Sequence, residues 1–244
     1  DAGVDLAPDL PGDGHVGLGD RLTVTRRAGV VVGDGEGPVH SENGLTNSIH
    51  GRIRIGVVPR IDGRGRADHV PSRAAEPLIG NAFEIVDFLP GRTLFMLGCI
   101  DYKDNDLGDY NEVSIAFFVR KRGERGKVPF LGAAVDMMRG VLPTHIIHLP
   151  VNQSFTCEAG QAIWGFPKTV DEIDFDTSGD RARCVWDKDG QNVLKISLPK
   201  GGTRDLPEQE LCTYSYIDGV LHQTSFTSSA ENLGLRMGGV RLAL

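Results

Sequence analysis

Short apolar runs separated by turn signals constrain this chain more than any other feature. Thr93 to Ile100, Val113 to Val119, His145 to Pro150, Arg181 to Trp186 and Asn192 to Leu198 read as strands. Pro90-Gly91, Asp189-Gly190 and Gly201-Gly202 mark turns between them. Shorter strand candidates lie at Leu22 to Thr25, Val30 to Val32 and Arg52 to Val58, the last alternating as Arg-Ile-Arg-Ile. Short helices are expected at Ser72 to Leu78 and Val135 to Arg139. Many strands with few helices imply an α+β chain that is mainly β, built as a barrel or as closely packed sheets.

Texture divides the chain near residue 70. Residues 1–70 are rich in Gly, Asp and Arg and read as an N-terminal extension packed on the barrel, whereas 71–244 carry the longer apolar strands and form the barrel domain. The sequence starts at Asp1 without a methionine, so an upstream segment is expected. Gly238 to Leu244 reads as a strand: either the barrel closes early or the sequence ends short of its natural terminus.

Composition excludes several classes. With 244 residues, 40% of them hydrophobic and 24% charged, the chain can bury a large core, and one domain is the simplest count. A net charge of -7 argues against a nucleic-acid partner, because phosphate neutralisation needs a clustered excess of Lys and Arg. The one basic cluster, Arg120 to Lys127, contains two glycines and no aromatic residue and reads as a solvated loop. No apolar run approaches the length of a membrane span. Cys99, Cys157, Cys184 and Cys212 are far apart, without a Cys-x-x-Cys pair, and read as reduced thiols in a cytoplasm.

Chemistry is concentrated between Glu158 and Val170, Glu-Ala-Gly-Gln-Ala-Ile-Trp-Gly-Phe-Pro-Lys-Thr-Val. Lys168 follows Trp164, Phe166 and Pro167, a possible dry wall. An ammonium among apolar groups loses hydration, which favours neutral amine near pH 7, and neutral amine attacks ketones and aldehydes. The commoner arrangement for a lysine is a stem laid on apolar surface with its head in water, and spacing alone leaves that open.

Two blocks decide between them. Gly165-Phe166-Pro167-Lys168, after an Ala-Gly-x-x-Ile-Trp lead, resembles the active-site segment of the acetoacetate decarboxylase family. Asp106-Leu107-Gly108-Asp109-Tyr110-Asn111-Glu112-Val113 resembles its Gly-x-Tyr-x-Glu block. His145 to Val151 is similar to the strand leading into the lysine segment, and Ala75 to Leu97 is loosely similar to the upstream part, so the resemblance spans about residues 70 to 200.

The resemblance implies a cone-like antiparallel β-barrel with flanking sheets and a few short helices. Its interior would hold Lys168 as the Schiff-base nucleophile, with Glu112 facing the same pocket to move protons or orient the substrate. Trp164, Phe166 and Tyr110 would line the substrate pocket, and Arg60 is the position corresponding to a pocket arginine. A small-molecule oxo acid would be the substrate, no cofactor and no metal would be needed, and a homo-oligomer is expected. Two departures bear on the reaction. Decarboxylases of the family carry Lys-Lys, and here the second position is Thr169; an upstream carboxylate falls at Met96 to Gly98, where none exists. Acetoacetate decarboxylase is itself the standard case of a lysine activated by a cationic neighbour, so Thr169 removes one activation route and leaves desolvation. Imine chemistry without decarboxylation, as in an aldolase-dehydratase or a cyclase of secondary metabolism, stays open, as does a non-catalytic ligand-binding barrel.

Other motifs carry less. Gly12-Asp13-Gly14-His15-Val16-Gly17 has the Gly-x-Gly-x-x-Gly form, but no strand precedes it and no helix follows. His145 and His148, three apart on a strand, are expected on opposite faces rather than as a metal pair. Asp101, Asp104, Asp106 and Asp109 read as a solvated turn, lacking the Gly and distal Glu of a calcium loop. Asn152-Gln153-Ser154 fits a glycosylation acceptor that a cytoplasmic chain would not use.

Overall fold

The computed structural model describes residues 28–41, 46–49, 51–59, 70–103, 107–124 and 130–238. The first strands are β1 (Ala28–Ser41), β2 (Thr46–Ile49), β3 (Gly51–Pro59) and β4 (Val70–Pro71). Then come α1 (Ser72–Ala75), a 3-10 turn over Glu76–Leu78, β5 (Phe83–Ile85), β6 (Asp87–Leu89), β7 (Arg92–Thr93), β8 (Phe95–Tyr102) and β9 (Tyr110–Lys121). α2 (Leu131–Met138), β10 (Thr144–Val151), α3 (Ser154–Trp164), β11 (Lys168–Val170) and β12 (Glu172–Asp176) follow. The chain continues through β13 (Arg181–Lys188), β14 (Gln191–Pro199), β15 (Arg204–Ile217) and β16 (Val220–Gly238).

The main sheet curls until its pairings return on themselves: β9 pairs with β10, β10 with β15, β15 with β16, β16 with β1, β1 with β3, β3 with β8, and β8 again with β9. Most of these pairs are antiparallel, and β10 is parallel to both β15 and β11. β12–β13–β14 and β4–β7–β6 form two flanking three-stranded sheets. The fold is thus mainly β with a few short helices, as the strand pattern and the resemblance imply. β1 and β3, from the part of the chain before residue 70, are strands of the main sheet, between β16 and β8. Leu22 to Thr25, Arg60 and residues 239–244 lie outside the described residues.

Turn chemistry sets the hairpins. Asp189 and Gly190 join β13 to β14 with φ of 52° and 73°, and Asp218 and Gly219 join β15 to β16 with φ of 50° and 75°. Positive φ at both positions matches the right-handed twist of the flanking strands, and Asp-Gly supplies it at least strain.

Alternation on β9 positions both the core and the site. Val113, Ile115, Phe117 and Val119 face outward and pack with Leu97 and Cys99 of β8 against Ile173, Cys184, Trp186, Leu194 and Ile196 of the flanking sheet. Each such side chain contributes about 1.5–3 kcal/mol on burial. The other face of β9 carries Tyr110, Glu112, Ser114 and Ala116, opposite Tyr102, Ile100, Gly98 and Met96 of β8. Gly98 is needed there, because a Cβ in its place would stand 3.8 Å from Ser114 Cβ and still closer to Ser114 Oγ.

Candidate active site

A bulge brings the lysine to this inner face. β10 pairs with β9 as Ile146↔Ala116 and then His148↔Ile115, so Ile147 is an extra residue and the alternation shifts by one. Beyond the bulge Leu149 and Val151 face inward, Val151 directly opposite Glu112. Because β11 pairs with β10 as Leu149↔Lys168, Lys168 also faces inward. The same shift places His145 and His148 on one face rather than on opposite ones, both with the outward residues of β9. His145 packs on Phe83 with ring centroids 5.0 Å apart, and its Nδ1 lies 2.9 Å from the Tyr214 carbonyl oxygen. Burial pushes both imidazoles below the ordinary histidine range, against the Tyr214 contact for His145, and together with the charge of Lys188 for His148.

The segment before Lys168, read from sequence only as an apolar wall, forms α3 and a reversing turn. Gly165 ends the helix at φ 64°, its N–H donating to the Gln161 carbonyl at 3.0 Å. A side chain at 165 would meet the backbone of Tyr216. Pro167 follows, Lys168 N–H donates to the Phe166 carbonyl at 2.7 Å, and Gln161 Nε2 donates to the Lys168 carbonyl at 2.8 Å. The lysine stem thereby lies back across Gly160, the one α3 residue whose missing Cβ leaves room for it.

At the end of that stem, Lys168 Nζ stands 2.8 Å from Glu112 Oε2, with side-chain exposures of only 3% and 7%. Nζ is also 5.1 Å from the centroid of the Tyr110 ring. Tyr102 O–H donates to the other carboxylate oxygen, Oε1, at 3.3 Å, and its ring stacks on Tyr110 at 4.4 Å and 22°. Burial, reinforced by the Glu112 carboxylate, pushes the Tyr102 phenol well above the usual tyrosine range; burial and then Tyr102 do the same for Tyr110. Both phenols therefore remain protonated donors. Trp164 stacks on Phe166 at 6.0 Å and 19°, while Ser215 Oγ donates to the Trp164 carbonyl at 2.5 Å. Trp164 Nε1 is buried and has no hydrogen-bond partner among the described residues.

Of the residues expected from sequence, Lys168, Glu112 and Tyr110 meet directly, and Trp164 and Phe166 form a stacked pair in the helix-to-strand turn leading to Lys168. Thr169, next along β11, is exposed, with Oγ1 3.5 Å from Asp171 Oδ2, and so projects away from the buried amine. Tyr102 and Gly160 were not expected. Tyr102 is legible only if the β8 strand is continued two residues past Ile100, where it falls opposite Tyr110. Gly160 is a helix-weakening residue inside a helix, a signal of close approach.

Of the remaining motifs, Gly12 to Gly17, Asp104 and Asp106 lie outside the described residues. Lys103 lies 3.0 Å from Asp101, which is a buried residue of β8 rather than part of a solvated turn, and 3.8 Å from the exposed Asp109. Asn152 Oδ1 accepts from the Asn111 N–H at 2.8 Å. All four cysteines are free thiols. Among the described residues, no group of three or more His, Cys, Asp or Glu could hold a metal, and no helix is long and apolar enough to cross a membrane.

The class that the fold and site define is a curled β-sheet carrying an inward lysine in contact with a buried carboxylate. The family model for acetoacetate decarboxylase (ADC) matches residues 69–229, and the chain belongs to that family. It is accordingly an acetoacetate decarboxylase-like enzyme. Among solved structures, the chain is similar to the acetoacetate decarboxylase of Legionella pneumophila subsp. pneumophila str. Philadelphia 1, at 11% identity and a TM-score of 0.44 over 89% of this chain and 88% of that one. It is also similar to the enduracididine biosynthesis enzyme MppR complexed with pyruvate, at 12% identity and a TM-score of 0.41 over 87% and 89% of the two chains. An acetoacetate decarboxylase-like enzyme from Sphingomonas wittichii RW1 matches at 10% identity and a TM-score of 0.39 over 90% and 93%. No curated protein matches the sequence.

Proposed function

We propose that the protein is a lyase that works through a lysine imine on a small oxo acid. The observation that carries this reading is the buried 2.8 Å contact between Lys168 Nζ and Glu112 Oε2. Desolvation alone favours neutral amine, whereas an adjacent carboxylate favours ammonium. The nucleophile is released by passing a proton from Nζ to the facing Glu112 Oε2.

Neutral Lys168 adds to the substrate carbonyl, and the protonated Glu112 returns its proton to the departing hydroxyl, so that water leaves, an iminium ion remains and Glu112 is again a carboxylate. The pair of electrons from a broken C–COO⁻ or C–H bond then flows into the C=N bond to give an enamine. Carbon dioxide leaves in the first case, and Glu112 takes the proton in the second. Reprotonation at carbon and hydrolysis return product and free lysine. The lysine itself supplies the electrophile, so the reaction calls for no metal or organic cofactor. Trp164, Phe166 and Tyr110 are assigned to the pocket wall. The buried Trp164 N–H is a donor available to a substrate oxygen, and Arg60 is assigned to the substrate carboxylate. Thr169 lies on the exposed side of β11, so the loss of a second lysine there leaves the contacts of the buried amine unchanged. The reading includes a cytoplasmic homo-oligomer, checked by sedimentation of the purified protein.

Proton NMR in deuterium oxide tests it. The methyl signal of pyruvate should vanish with the wild type and persist with Lys168→Ala, and acetoacetate should release carbon dioxide. Methyl exchange without carbon dioxide release would indicate an aldolase-dehydratase or a cyclase. Neither reaction with pyruvate, acetoacetate or a longer 2-oxo acid, alongside measurable binding of any of them, would make this a ligand-binding barrel.

A further inference from the structure

Glu112 has two carboxylate oxygens with different partners, Oε2 facing Lys168 Nζ at 2.8 Å and Oε1 facing the Tyr102 phenol at 3.3 Å. We propose that Tyr102 is a positioning residue, fixing the Glu112 carboxylate so that Oε2 is the oxygen that exchanges protons with the lysine and the substrate. This rests on the imine reading of Lys168. A glutamate side chain has three torsions, and the ion pair that holds it is rearranged once Nζ becomes an iminium nitrogen with fewer N–H donors. Tyr102 is the contact that survives that change. Its ring is pinned by the Tyr110 stack, and its proton is retained because burial and the facing carboxylate both oppose ionisation. At 3.3 Å the bond is long for O–H···O, as catalytic hydrogen bonds often are before substrate arrives.

The step that depends on this geometry is balanced: a methyl C–H of bound pyruvate breaks, its electron pair enters the C=N bond, and its proton goes to Glu112 Oε2. Trapped imine is read as an end-point yield and methyl exchange as a rate, so the two readouts separate in Tyr102→Phe, which keeps the stacked ring and loses the hydroxyl. With pyruvate, the variant should give a borohydride-reduced adduct at wild-type yield. Its methyl hydrogen–deuterium exchange should slow about tenfold, the scale of one lost hydrogen bond to a charged group. Combining it with Glu112→Gln should slow exchange no further than Glu112→Gln alone. A purely packing role would lower adduct yield and exchange together. Adduct formation in both proteins with equal exchange rates would overturn the proposal and leave the imine reading intact. Absence of any adduct in the wild type would overturn both.

Discussion

The aliphatic stem of Lys168 runs across the α-carbon of Gly160, so closely that a Cβ at 160 would stand 2.6 Å from Lys168 Cε. Ala in place of Gly ordinarily stabilises a helix interior by about 1 kcal/mol. Here crowding of a buried stem, costing about 1–3 kcal/mol, should win. Gly160→Ala is expected to lower thermal stability and to displace Nζ from Glu112. Calorimetry and the yield of borohydride-trapped adduct, expected to fall at least about tenfold, check this.

The Lys168–Glu112 pair predicts an asymmetry in stability. Removing one partner leaves a buried uncompensated charge, so Lys168→Met alone should cost about 3–5 kcal/mol in urea unfolding, and pairing it with Glu112→Leu should recover most of the loss. Equal stability of the single and double variants would show that the two groups are not coupled.

His145 and His148 make the fold acid-sensitive. Both are held neutral by burial, below the usual histidine range, whereas the unfolded chain takes up protons near pH 6.5. The unfolded state therefore binds more protons as pH falls through about 6.5, and stability declines from there down to the folded-state values. Melting temperatures at pH 7.5 and 5.5 should differ, and His145→Phe, which can keep the contact with Phe83, should narrow the gap. Parallel profiles for the two proteins would contradict this.

Trp164 Nε1 is a buried donor without a partner among the described residues, so Trp164→Phe removes a donor unmet there along with some packing. Stability should change little, by about 1 kcal/mol or less. If a substrate oxygen accepts from Nε1, KM should rise about tenfold while kcat is nearly kept. Steady-state kinetics on the first substrate found provide the check.

Thr169→Lys restores the Lys-Lys sequence of the family's decarboxylases, but on the exposed side of β11, beside Asp171. Through water a charge at roughly 8 Å contributes only about 0.5 kcal/mol. The pH–rate profile should therefore move by less than about half a unit. A larger displacement would mean that the new ammonium reaches the pocket.

The strands were legible wherever a β-branched or apolar run met a turn signal. Val113 to Val119 falls within Tyr110–Lys121, and Asn192 to Leu198 within Gln191–Pro199. The long β15–β16 hairpin was not, because Pro207, Glu208 and Glu210 mask its first half and many of its residues are only half-buried; Asp218-Gly219 was the signal that would have found it. Lys168 and Glu112 were legible as motif residues. Their meeting was not, since it depends on Ile147, an inserted residue that reverses the facing of the second half of β10. A bulge of this kind leaves no periodic trace in a single sequence, and the same shift explains why His145 and His148 share a face.

Peptide mass spectrometry after borohydride reduction tests the central claim most directly. Incubated with pyruvate or acetoacetate and reduced, the protein should carry a stable adduct on the peptide containing Lys168, absent from Lys168→Ala. An adduct mapped to any other lysine, or one that persists at equal yield in Lys168→Ala, would contradict the assignment of Lys168 as the nucleophile.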